Sequence, residues 1–101
     1  MSTPSQPFRI DGEFTIYRAA ELAALLNAAL AALPGDATFE IDLSGVTEMD
    51  SAGVQLLVAT RKSARDGGRR LRLAGDSPAV REVFQTLQLD HLFGDATAAA
   101  N

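Results

Sequence analysis

An α/β fold is predicted by three observations: one domain, with a mixed sheet of about four strands and helices packed mainly on one face. Short segments that alternate apolar and polar residues are interleaved with longer segments of helical periodicity, the pattern of strand–helix–strand units. Breaks rich in Gly, Pro, Asp and Ser separate them. The length of 101 residues accommodates a single core, and 47% hydrophobic with 22% charged residues is an ordinary globular balance.

Each element has a local reason. Residues 1–7 carry two prolines and three hydroxyl residues and are read as a flexible tail. Phe8 and Ile10, then Phe14 and Ile16, alternate around Asp11-Gly12, which predicts one or two short strands or a hairpin. From Ala19 to Leu33 the leucines at 22, 25, 26, 30 and 33 recur at helical spacing, and Pro34-Gly35 ends the helix. Its outer positions are mostly alanine, so a wide face is apolar and is either covered or a contact surface. Thr38–Leu43 alternates as a strand with Phe39, Ile41 and Leu43 on one face, leaving Glu40 and Asp42 solvated on the other; Ser44-Gly45 then turns the chain. A helix starts at Asp50-Ser51 and carries Val54, Leu57, Val58 and Ala64 to a stop at Gly67-Gly68. Arg70–Leu73 is another strand. Asp76-Ser77-Pro78 starts a further helix with proline at its first position, and Val80, Val83, Phe84 and Leu87 form its apolar stripe. Leu89, Leu92 and Phe93 form a short closing element. The domain spans 8–94, and 95–101 is frayed.

Composition removes several classes of function. With no cysteine there is no disulfide, zinc-knuckle or thiol chemistry. One histidine, His91, leaves no histidine pair for a metal, so no metal or other cofactor is expected. A net charge of −4 and a pI near 4.7 oppose general nucleic-acid binding. The first residues lack the basic and apolar regions of a signal peptide, and Ala19–Leu33 is too short and polar to span a bilayer. A soluble cytoplasmic protein with no direct membrane insertion is expected. Arg61, Lys62, Arg65, Arg69, Arg70 and Arg72 hold six of the nine basic residues; this suits a helix C-terminus and a solvent-facing strand better than a nucleotide or anionic-lipid site.

Chemistry concentrates at Leu43–Val54, where a buried strand gives way to a helix. On the residues alone this is a capped helix start. Asp50 or Ser51 serves as the N-cap, and Gly53, in the first turn, leaves the surface open to close approach by another molecule. A phosphate on Ser51 would meet backbone N–H groups and the positive end of the helix dipole, beside Asp50 and Glu48. A triad of Ser51, His91 and Asp50 is less well supported, because His91 lies among Leu89, Leu92 and Phe93 as a packing residue.

The segment Ile41-Asp-Leu-Ser-Gly-Val-Thr-Glu-Met-Asp-Ser-Ala-Gly-Val-Gln-Leu-Leu57 resembles the STAS domain shared by sulfate transporters and anti-sigma-factor antagonists. The resemblance continues through Gly67-Gly68, Leu71–Leu73, Ser77-Pro-Ala-Val-Arg-Glu-Val-Phe84 and Leu89-Asp-His-Leu-Phe-Gly94. It implies a non-enzymatic bacterial regulator of signal transduction and transcription. That regulator would bind an anti-sigma factor that is also a serine kinase, through Asp50, Ser51, Ala52, Gly53 and Gln55. Carried over by position, Ser51 is the phosphoacceptor, and its phosphate would repel the partner. Ala52 departs from the second hydroxyl residue of many phosphorylated antagonists. That departure looks more like accessory subunits of lipid-transporting ABC systems, which bind an ATPase subunit; small STAS proteins of chemotaxis or two-component pathways also look similar.

Overall fold

The computed structural model describes residues 7–89. Three strands and three helices alternate along the chain: β1 (Phe8–Phe14), α1 (Ala19–Ala31), β2 (Thr38–Met49), α2 (Ser51–Asp66), β3 (Arg70–Asp76) and α3 (Pro78–Thr86). The sheet order is β1-β2-β3 and both pairings are parallel. A parallel pair needs a long crossover, and α1 and α2 supply the two crossovers.

This corrects the expected mixed sheet of about four strands: the described residues form three parallel strands. Asp11-Gly12 does not reverse the chain. Phe8–Phe14 is one strand, paired along its length with β2, and Gly12 takes φ +77°. Ser44-Gly45 is likewise no turn. Arg9 faces Asp42 whereas Asp11 faces Gly45, so the extra residue is absorbed as an irregularity inside β2, which runs on to Met49. The inward-facing side changes phase there, from Phe39, Ile41 and Leu43 to Val46.

The core joins Ile10, Phe14, Ile41 and Leu43 of the sheet to Leu22, Leu26, Leu57, Val80 and Phe84 of the three helices. The other face of the sheet is charged. Glu40 and Asp42, expected to be solvated, are paired instead: Arg72 Nη1 lies 2.9 Å from Glu40 Oε2 and Arg9 Nη1 3.2 Å from Asp42 Oδ2. Arg72 stands opposite Glu40 and Arg9 opposite Asp42 in the strand register, which brings each pair together. α1 starts at Arg18 without a side-chain cap, whereas the ends of α2 and the start of α3 follow capping chemistry. The α2 stop is a Schellman motif, with Gly68 N–H donating to Arg65 O (2.9 Å) and Arg69 N–H to Ala64 O (2.8 Å). Ser77 Oγ caps α3 by accepting from Val80 N–H at 3.3 Å, with Pro78 at the first helical position. Leu89 packs at the margin of the core; the remainder of the closing element, with His91, Leu92 and Phe93, lies outside the described residues, as do most of the N-terminal tail and all of 95–101.

All three strand-to-helix junctions leave the C-terminal edge of the sheet. Loops 15–18 and 50–51 and the start of α3 therefore share one end of the molecule, the edge where parallel α/β sheets place their binding residues.

Candidate functional site

The site begins with Asp50, the last residue before α2. Its extended backbone (φ −121°, ψ −174°) turns the carboxylate over the first helical turn. Oδ1 accepts from Ala52 N–H (2.9 Å) and Gly53 N–H (3.2 Å), and Oδ2 accepts from Ile16 N–H (3.1 Å). One side chain thus caps α2 and ties it to the loop after β1. These amides hold the Asp50 carboxyl below its ordinary range; the Ile16 amide contributes most, partial desolvation opposes it, and the Gly53 and Ala52 amides add to it.

Gly53 explains the tight junction. It is buried, and a Cβ there would overlap the Phe14 carbonyl oxygen and lie 3.3 Å from Met49 Cγ. The close approach is made by β1 of the same chain, so Gly53 does not open the surface to another molecule, as its position in the sequence suggested.

With Asp50 as the cap, the hydroxyl of Ser51 is released from structural duty. Ser51 is the exposed first residue of α2, and its side chain makes no hydrogen bond to the described residues. Gln55, one turn on, is exposed; Ala52 and Asp50 are half-buried. Of the five residues expected to meet a partner, only Ser51 and Gln55 are exposed.

Two features next to Ser51 carried no signal in the sequence. The first is the loop after β1, where Ile16 is 63% and Tyr17 88% exposed. This loop is not slack. Tyr17 N–H donates to Thr15 Oγ1 (3.3 Å), Arg18 N–H to Thr15 O (3.0 Å), and Arg18 Nη1 to the carbonyls of Asp11 (2.6 Å) and Glu13 (3.0 Å). Two large apolar side chains are therefore held outward by a pinned backbone. The second feature is a groove of about 610 Å³ between the β2–α2 junction and α3, bordered by Ser51.

The carboxylate beside Ser51 is already engaged by three amides, and among the described residues no base touches the hydroxyl; His91 lies outside them.

Residues 4–94 match the family model for "Mlab, STAS domain". The chain belongs to the STAS domain family. A crystal structure of a sulfate transporter family protein from Wolinella succinogenes shares the fold, with a TM-score of 0.68 and 20% identity over 89% of this chain and 71% of that one. STAS domains are generally non-enzymatic regulatory modules that bind other proteins. Among the described residues of this STAS domain, no helix is long and apolar enough to cross a membrane.

Proposed function

We propose that this STAS domain docks a protein partner on the C-terminal edge of its sheet, with Ser51 controlling the contact, in the manner of an anti-sigma-factor antagonist. The observation that carries this reading is the division of labour at the helix start: Asp50 does the capping, and Ser51 is exposed, its hydroxyl without a hydrogen bond to the described residues. A phosphate there would break no hydrogen bond of the fold and would sit at the favourable end of the α2 dipole. It would add about −1.5 to −2 charge between the exposed Ile16 and Tyr17 and the apolar groove. A docked partner would have to desolvate that charge beside Asp50 and Glu48, so phosphorylation releases the partner and leaves the domain folded. The partner in this reading is an anti-sigma factor with serine-kinase activity.

A second reading is favoured by Ala52 and by the description of the matching family: an accessory subunit of a lipid-transporting ABC system, bound to its ATPase subunit. Ser51 is then a contact residue and never an acceptor.

One experiment separates the two. The chain is used to capture partners from its native cell, and its intact mass is measured after incubation with the captured partner and ATP. A single added phosphate that disappears in Ser51→Ala supports the switch. A captured ATPase whose turnover changes with Ser51→Ala, with no mass increment, supports the transporter reading. Capture that is indifferent to Ser51→Asp contradicts both.

A further inference from the structure

We propose that the groove beside Ser51 seats a cationic, apolar segment of the partner: an aliphatic or aromatic side chain against Met49, Val83 and Leu87, flanked by Lys or Arg that meet Glu48 and Glu82. The proposal rests on the docking reading above and specifies the chemistry of what docks.

The groove has the volume of a binding cleft, about 610 Å³, within the range of roughly 300–1,000 Å³ typical of ligand sites. Its apolar lining comes from Met49 at the end of β2 and from Ala79, Val83 and Leu87 along α3. Leu87 belongs to the apolar stripe that α3 carries, yet it is 49% exposed, since among the described residues it borders the groove and no other element covers it. Its polar rim includes Glu48 and Glu82, and no Lys or Arg lines it. Several acids elsewhere are paired, Glu40 with Arg72, Asp42 with Arg9, and Asp76 with Arg81 at 3.0 Å, while Glu13, Asp36 and Asp66 stand alone on the surface among the described residues; Glu48 and Glu82 differ from these in lining one apolar groove. Glu48 and Glu82 have no ion pair among the described residues. Two uncompensated carboxylates over an apolar floor are complementary to a segment that alternates apolar and cationic side chains. Asp50 also borders the groove; its oxygens are held by three backbone amides, which fix the carboxylate in place and leave its negative charge to add to the rim. A phosphate on Ser51, at the groove mouth, would compete with Glu48 and Glu82 for the same cations and draw the segment from its seat.

The test selects phage-displayed random dodecapeptides on the full chain. The expected result is enrichment of Leu, Met or Phe next to Arg or Lys. A synthetic copy of an enriched peptide should shift the amide resonances of Met49, Ala79, Val83 and Leu87. The double charge reversal E48K/E82K should weaken it by about tenfold or more, and Leu87→Asp should do so without reversing the rim. Both variants alter exposed side chains, so the fold survives them. Acidic or neutral enriched sequences, no enrichment, resonance shifts confined to another surface, or full affinity in E48K/E82K would each overturn the proposal. If the captured partner still depends on Ser51 but binds E48K/E82K at full strength, only the groove assignment fails. If capture does not depend on Ser51, the docking reading fails independently of the peptide result.

Discussion

The two ends of α2 are built to different plans. At its C-terminal end the chain satisfies itself. Gly67-Gly68 closes the helix with backbone hydrogen bonds, and Arg69 reaches across to the end of α1, donating from Nη2 to Leu33 O at 2.9 Å and from Nε to Pro34 O at 3.2 Å. At its N-terminal end the backbone is held as firmly, by Asp50 and Gly53, but the surface is left unfinished. Ile16, Tyr17 and Leu87, three of the five exposed large apolar residues described, lie there with the Ser51 hydroxyl and with Glu48 and Glu82, which have no side-chain partner among the described residues. A rigid backbone under an incomplete surface is what a docking site requires, because little ordering entropy remains to be lost on binding.

The contrast can be broken at its strongest joint first. Gly53→Val places a branched side chain against the Phe14 carbonyl, which is backbone and cannot rotate away. The expected cost is about 3 kcal/mol, read as a lower denaturation midpoint, with loss of docking because the β1–α2 contact opens.

Asp50→Ala removes three acceptor contacts at once, so a clearly lowered denaturation midpoint is expected. Asp50 also gives the pH dependence a sign. Its carboxyl is held below the ordinary value in the folded chain. Asp42 is lowered too, first by the Ser44 hydroxyl and amide and then by Arg9, against some desolvation. Such groups contribute stability that is fully present above the ordinary carboxylate range, about pH 4, and is lost as pH falls through the lowered folded-state values. Chemical denaturation at neutral and acid pH should show this loss, and it should be smaller in Asp50→Asn.

The comparison sharpens when each end is changed on its surface. Arg69→Ala should cost about 1–2 kcal/mol of stability, for two hydrogen bonds from a charged group that is partly exposed, and leave partner affinity untouched. Tyr17→Ala should do the reverse. Stability should stay within about 0.5 kcal/mol, while partner affinity falls by about tenfold or more, as for an aromatic anchor.

Much of this was legible before the structure, for local reasons. Asp50, Ser77-Pro78 and Gly67-Gly68 announce helix ends because capping is chemistry between near neighbours, and Phe39, Ile41 and Leu43 mark a strand by period alone. What could not be read depends on partners far along the chain. Asp11-Gly12 has the residues of a tight turn, but pairing with β2 keeps the strand extended. Glu40 and Asp42 look solvated until the register sets Arg72 and Arg9 opposite them. The Ile16–Asp50 link joins positions 34 apart, and the groove joins residues 48–51 to 79–87. Gly53 reads in the sequence as an opening for another molecule, and only the position of the Phe14 carbonyl shows that the close approach is made within the chain.

The most direct test measures folding stability and partner capture together on Ser51→Asp. If the start of α2 is a docking surface whose serine is spare to the fold, the variant should unfold within about 0.5 kcal/mol of the unaltered chain and lose most of its captured partner. Undiminished capture, or a domain that loses its fold with the hydroxyl, would contradict that view of the site.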